Sequence, residues 1–361
     1  MKDLFWMNKK VLITGHTGFK GSWLSIWLEY LGADVTGYSL KNESDESLFK
    51  SSGIEKDIKS YTGDICDFKS LKQAFEETRP EIVFHLAAQS LVIEGYNSPL
   101  STYETNVVGT ANVLECSRQS QNTTVVVNVT SDKCYENFEQ LEGYSEGDRL
   151  GGFDPYSSSK ACAELVASCY QNLYKDNTEH KNIKLVSVRA GNVIGGGDWS
   201  KDRLIPDIIR HIYKDSSLSI RNLGAVRPWQ HVIEPLFGYM IAAKKLFNGD
   251  QIEHAYNFGP NHDGTSTVFD LIEMVNKTSD KNVTYDKEKT VFHETNYLNL
   301  NNSLAKKDLN WEPKWSIEET LGNVLDWYNA YYLGEDIKIF TVKQIQQFEK
   351  KENYDGSNDN N

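Results

Sequence analysis

The 361-residue sequence predicts an α/β fold: a doubly wound parallel sheet with a smaller C-terminal lobe. Three observations predict it. Short runs rich in β-branched residues alternate with helical stretches through the first half, the pattern of βαβ units whose sheet is covered on both faces. A glycine-rich turn follows the first run. After Arg189 the alternation gives way to shorter elements and loops.

The elements follow in order. KVLIT (10–14) reads as a short buried strand, and GSWLSIWLEYLG as the helix after it. DVTGYS (34–39), EIVFHLAA (81–88) and TVVVNVTS (124–131) are further strands, the last two each preceded by a helical stretch. A long helix starts near Asp154 and leads into the strand KLVSVRA (184–190). The expected division is a dinucleotide-type domain over 1–190 and a second lobe over 191–345, with some exchange of chain between them. The polar residues 346–361 are expected to form a tail without fixed structure.

The net charge of −13 argues against a nucleic-acid partner, which needs a basic face. Five scattered cysteines with no CxxC pair read as reduced thiols. The N-terminus enters the first strand almost at once, with no apolar stretch long enough for a signal peptide or a membrane span. A soluble, cytoplasmic protein is expected. The eight histidines show no HxxxH or HxH spacing, so no metal site is expected.

Three motifs carry chemistry. GHTGFKG places Gly15, Gly18 and Gly21 between the first strand and the first helix. Glycines there let the backbone approach a pyrophosphate, while the helix N-terminus supplies free N–H groups and a positive dipole end. No carboxylate ends the second strand to accept from a ribose 2′-hydroxyl; Ser39 stands there, followed by Leu40 and Lys41. Lys41 suits a 2′-phosphate, so NAD and NADP both stay open on this ground. In DPYSSSK, Tyr156 and Lys160 are four apart on one helix face. A neighbouring ammonium is expected to draw the phenol down from about 10 towards neutrality, making it a usable base or acid. In TSDKCY, a hydroxyl, a carboxylate and an ammonium stand in succession where a buried strand ends. Charges there are costly unless paired or used. A plain ion pair facing water and an acid–base role for Asp132 and Lys133 are the two readings.

Taken with LAAQ, SVRAGNVIGGGDW, RPWQHV and YNFGP in that order, these motifs resemble the nucleotide-sugar 4,6-dehydratases. These are Rossmann-type members of the extended short-chain dehydrogenase/reductase superfamily, and the resemblance runs over residues 8–340. It implies NAD as cofactor, held by Gly15, Thr17, Gly18, Phe19, Gly21, Ser39 and Thr130. Asp64 and Ile65 are implied at the adenine, and Leu86, Ala87, Ala88 and Gln89 beside the phosphates and ribose. Ser131, Tyr156 and Lys160 are implied to grip one sugar hydroxyl, with Tyr156 and Lys160 also touching the cofactor.

Asp132 and Lys133 are then an extra acid and base, which dehydration needs and epimerisation does not. Relatives usually carry Glu where this chain has Lys133, a departure that narrows the resemblance to one branch. The implied reaction converts CDP-D-glucose to CDP-4-keto-6-deoxy-D-glucose plus water, the entry to 3,6-dideoxy sugars of bacterial surface polysaccharides such as lipopolysaccharide O-antigen. The implied substrate residues are Asn192, Trp199, Arg203, Leu204, Arg227 and His293. A planar cation facing a diphosphate suits Arg227; for Trp199, core packing is an equal reading. The resemblance also implies a homodimer, or a higher homo-oligomer, through the helices near 99–120 and 155–175. A nucleotide-sugar 4-epimerase or dehydrogenase, a dehydratase of another nucleotide sugar, and a non-enzymatic NAD(P)-sensing module are the alternatives.

Overall fold

The computed structural model describes residues 3–42, 44, 46–175, 183–214, 216–261, 265–279, 283–287 and 296–358, with side chains to 352. Seven parallel strands form the central sheet: β1 (Lys10–Thr14), β2 (Asp34–Ser39), β3 (Lys59–Thr62), β4 (Ile82–His85), β5 (Val125–Val129), β6 (Lys184–Ala190) and β7 (Ala255–Phe258). Their order is β7-β6-β5-β4-β1-β2-β3, so the chain winds outward from β1 in both directions. Ligands in such sheets bind outside the carboxyl ends of the strands, where the winding reverses. Here that point lies between β1 and β4, which pair in parallel from Val11↔Ile82 to Thr14↔His85.

Strand periodicity builds two cores. Val11, Ile13, Ile82, Phe84, Val125 and Val127 face one; Leu12, Val83 and Val126 face the other. Because both faces are covered, β5 is buried at all five positions, which explains its four valines; the one polar residue, Asn128, donates to Ser187 Oγ on β6. On the first face lie α1 (Phe19–Tyr30), α6 (Ile233–Asn248), α7 (Ile317–Tyr332) and α8 (Ile337–Asn358). On the second lie α2 (Phe68–Thr78), α3 (Gly109–Gln119) and α4 (Pro155–Lys175). Helix α5 (Leu204–Lys214) also packs on the first face through Ile205, Ile208 and Ile209.

Three features depart from the expected elements. β3 is an edge strand with an almost wholly exposed sequence, KSYT, so no apolar run announces it. β7 returns from the second lobe to pair with β6, so the region beyond 190 contributes to the sheet itself. The segment from 346, expected to be a tail without structure, instead continues α8. Its Phe348 is buried, packing edge-on against Trp27, Phe237 and Trp315. One buried aromatic side chain, continuing from Ile345 just before it, docks a segment that is otherwise polar. No helix among the described residues is long and apolar enough to cross a membrane.

Candidate active site

The carboxyl ends of the strands open into a cleft of about 1240 Å³. One drug-sized ligand occupies roughly 300–1,000 Å³, so the cleft has room for a dinucleotide and a second nucleotide. Its floor starts at the glycine turn. Gly15 has φ +77°, and a Cβ there would lie 2.7 Å from the Ala87 nitrogen. A Cβ on Gly21 would lie 2.1 Å from the Gly15 carbonyl oxygen, so this glycine lets α1 sit against the turn. Gly18 caps α1 without any side-chain hydrogen bond, leaving the first-turn N–H groups for an anion.

The catalytic candidates come from β5 and α4. Ser131 caps the turn after β5: its Oγ accepts from the Lys133 N–H at 3.2 Å and donates to Asp132 Oδ1 at 2.9 Å. Asp132 is buried, and its Oδ2 has no partner. Asp132 Oδ1 is taken by the Ser131 hydroxyl rather than by the Lys133 ammonium. The first turn of α4 brings Tyr156 to Ser131, and the second brings in Lys160.

Burial pushes the Tyr156 phenol up to about 12, with the Ser131 hydrogen bond the main influence in the other direction and the Arg203 field a smaller one. This corrects the expectation of a phenol lowered by Lys160. The Lys160 Nζ turns to the Val129 carbonyl at 3.4 Å, and burial pushes it down to about 8. Helical spacing puts the two groups on one face of α4, but burial is the largest influence on each of them in the protein alone.

The loop after β4 is clamped from below. Asn106 lies in a π-helical turn, Glu104–Val108. Its Oδ1 accepts from the Gln89 N–H at 2.8 Å, and its Nδ2 donates to the Gln89 carbonyl at 2.9 Å and to Ser159 Oγ at 2.8 Å. A π-bulge at this point is a frequent companion of functional sites.

Most expected residues meet in the cleft. Gly15, Thr17, Gly18, Phe19, Gly21, Ser39, Asp64, Ile65, Leu86, Ala87, Ala88 and Thr130 line it. So do Ser131, Asp132, Lys133, Tyr156, Lys160, Asn192, Arg203, Leu204 and Arg227. Ser39 is paired with the Thr17 hydroxyl at 2.8 Å. Two expectations need correction. Gln89 turns away from the cleft, donating to Thr102 Oγ1 at 2.9 Å and accepting from the Leu91 N–H at 2.6 Å. Trp199 packs against Tyr328, Tyr331 and Tyr332 at ring separations of 5.1–6.3 Å and does not line the cleft. Its flanking loop turns the ring into the aromatic cluster on α7. His293 lies outside the described residues.

Sequence reasoning missed Lys20, Asp198 and Asn106. Lys20 lines the cleft, and burial pushes it down to about 7, with Arg203 and Lys160 adding to the effect. A lysine inside a glycine turn was the available signal. Asp198 is buried and holds Arg203 at 3.3 Å, while Arg203 also reaches Ser90 Oγ at 3.5 Å. The DW pair drew attention to the tryptophan; the aspartate orients the arginine. Asn106 had no sequence signal, because a π-turn leaves none in the apolar pattern.

Residues 12–324 match the family described as GDP-mannose 4,6 dehydratase. The chain is 47% identical to a CDP-glucose 4,6-dehydratase of Salmonella typhimurium, over 95% of this chain and 97% of that protein. A dTDP-glucose 4,6-dehydratase of the same organism is 23% identical over 89% of this chain and 93% of its own length. Among solved structures, the dTDP-glucose 4,6-dehydratase of Bacillus anthracis in complex with NAD superposes with a TM-score of 0.75 at 23% identity, covering 92% of this chain and 99% of that one. The UDP-glucose 4-epimerase of Thermotoga maritima with UDP-glucose gives 0.77 at 21% identity, covering 89% and 99%. At that identity the two structures speak for the fold.

Proposed function

Since the chain belongs to the GDP-mannose 4,6-dehydratase family, we propose that it is an NAD-dependent dehydratase converting CDP-D-glucose to CDP-4-keto-6-deoxy-D-glucose and water. One observation carries the reading: Asp132 and Lys133 line the same cleft as Ser131, Tyr156 and Lys160. An epimerase or simple dehydrogenase has no use for that second acid and base. The similarity to the Salmonella CDP-glucose enzyme over nearly the whole chain supports the choice of nucleotide.

The cradle fits a dinucleotide. A Cβ at Gly18 would meet only the Gly15 carbonyl oxygen, at 3.4 Å, so the space above the α1 N-terminus is open to a pyrophosphate. Gly15, Thr17, Gly18, Phe19, Ser39, Asp64, Ile65 and Leu86–Ala88 would hold NAD there. When bound, NAD supplies the acceptor that takes hydride from C4 and returns it at C6.

The protein moves the protons. Tyr156, beside Ser131 in the cleft, takes the proton from the C4 hydroxyl. Once C4 is a ketone, the C5 hydrogen is acidic. Lys133 takes it, and Asp132, buried with one oxygen unpartnered, gives a proton to the departing C6 oxygen. Water leaves, C6 accepts the returned hydride, and a proton is restored at C5. Asn192, Arg203, Leu204 and Arg227 hold the nucleotide-sugar side.

Exposed Leu100, Val108, Leu165 and Leu173 lie on the 99–120 and 155–175 segments, which supports a homodimer through those helices. All five cysteines are free thiols, consistent with a cytoplasmic setting. The test of the reaction is incubation of the protein and NAD with CDP-, UDP-, dTDP- and GDP-glucose, followed by NMR. The proposal expects a 4-keto-6-deoxy sugar from CDP-glucose first. A C4 epimer, or NADH formed mole for mole with product, would overturn it.

A further inference from the structure

Behind the strand-end turn lies a buried polar cluster that the proton transfers above do not use. Glu164 follows Tyr156 and Lys160 along one face of α4 and is 4% exposed. Its Oε1 accepts from the Thr130 hydroxyl and from Arg189 Nε at 3.0 Å, and its Oε2 accepts from Arg189 Nη2 at 2.8 Å. Arg189, on β6, is equally buried. It donates from Nη1 to the Tyr135 hydroxyl at 2.7 Å and the Glu146 carbonyl at 3.1 Å. Tyr135 donates in turn to Asn257 Oδ1, on β7, at 2.8 Å. Thr130 and Tyr135 bracket Ser131, Asp132 and Lys133. One carboxylate–guanidinium pair therefore ties both ends of the catalytic turn to the helix that carries Tyr156 and Lys160.

Stability alone is a poor reason for such a pair, because an apolar pair of similar volume often packs as well or better. Its neighbours suggest another reason. The charged and titratable groups that interact with Lys160 are Glu164 on its own helix, Cys134 in the turn after β5, His85 on β4 and Lys20 on α1, with the Arg189 guanidinium on β6 paired to Glu164 behind them. Burial pushes His85 down to about 3 and the Cys134 thiol well up, so both are neutral near pH 7. Burial works against the Lys160 ammonium, and the Glu164 carboxylate is the strongest influence favouring it.

We propose that Glu164, fixed by Arg189 and Thr130, is a positioning residue: it sets a carboxylate one helical turn from Lys160 and holds the Ser131–Lys133 turn in register with Tyr156. The inference rests on the dehydratase reading for its kinetic arm only. Glu164→Gln alone would strand a buried guanidinium and endanger the fold, so the main variant is Glu164→Gln/Arg189→Gln, which removes both charges and keeps hydrogen-bonding groups. Three quantities are measured: the melting temperature, the Nζ NMR titration of Lys160 without substrate, and the pH profile of CDP-glucose oxidation in a single turnover.

The double variant should melt close to the parent, while the Lys160 titration and the alkaline limb of the rate both move down by about one pH unit or more. At pH values above the shifted limb that is a loss on the order of tenfold in rate, with KM nearly unchanged. An unmoved titration and limb, with any rate loss tracking melting temperature, would overturn the proposal and leave the pair a strut. Should the double variant not fold, Glu164→Asp keeps the charge but draws it back by one methylene. A smaller downward shift supports the proposal, and an unmoved limb overturns it. If no nucleotide sugar reacts with the parent protein, the reaction assignment fails and the substrate-free titration still decides the role of Glu164.

Discussion

Glu234 offers a test of how well burial in this fold is understood. It sits in the first turn of α6, 1% exposed. Its Oε1 accepts from the backbone N–H groups of Lys314 and Trp315 at 3.0 and 2.8 Å, and its Oε2 has no partner. Burial pushes its pKa from 4.5 up to about 8, with those two N–H groups opposing and the Glu352 field adding to the rise. Between these two values the folded protein holds a proton that the unfolded chain has lost. Stability is therefore fully present below the unfolded pKa and falls as pH rises towards the folded one, by about 1.4 kcal/mol per pH unit.

Glu234→Gln keeps the acceptor oxygen and removes the titration. Its stability relative to the parent should be near zero below about pH 4.5, climb across the window, and level off above about pH 8 at on the order of 5 kcal/mol. Urea unfolding of both proteins at pH 5, 6, 7 and 8 gives the difference directly. Taking the difference matters because His16, His85 and His231 are pushed below their ordinary 6.5, to about 4, 3 and 3, by burial. Their contribution runs the other way, falling as pH drops, and cancels between parent and variant. A difference that does not vary with pH would refute the reasoning, since Glu234 would then be ionised throughout.

The remaining predictions concern the cleft. Tyr156→Phe keeps the ring and should leave the melting temperature and NAD affinity nearly unchanged while turnover falls by a factor on the order of 10² to 10⁴; a near-normal rate would make the phenol structural. Lys133→Met should still oxidise C4 but stall there, seen as transient NADH absorbance with little solvent deuterium entering C5; normal product formation with normal deuterium uptake would remove Lys133 as the base. Trp199→Ala should cost about 1–3 kcal/mol of stability through the lost aromatic contacts of a half-buried ring and leave KM for the sugar unchanged, whereas a large rise in KM without loss of stability would return the ring to the substrate.

The parts of the fold that were legible are those where one physical effect dominates. Two-sided burial makes β1, β2, β5 and β6 apolar, and their positions follow from that alone. β3 escaped because an edge strand satisfies its exposed face with water, and α8 because Phe348 and its neighbours are too sparse to register in a polar segment. The site was legible where backbone geometry demands a residue type, as with Gly15 at φ +77°. It was illegible where tertiary direction decides. The sequence GGGDW cannot say that Asp198 reaches Arg203 while Trp199 turns into an aromatic cluster. Nor can spacing show that the Lys160 Nζ turns to the Val129 carbonyl while burial decides the state of the Tyr156 phenol.

The central claim is that the C4 hydrogen leaves and returns within one molecule, with an elimination between. CDP-glucose carrying deuterium at C4 tests it most directly, mixed with unlabelled substrate and turned over with catalytic NAD. The account predicts that deuterium moves to C6 of the same sugar, without crossover and without net NADH. Deuterium retained at C4 of an epimerised sugar, or accumulating in released NADH, would contradict it.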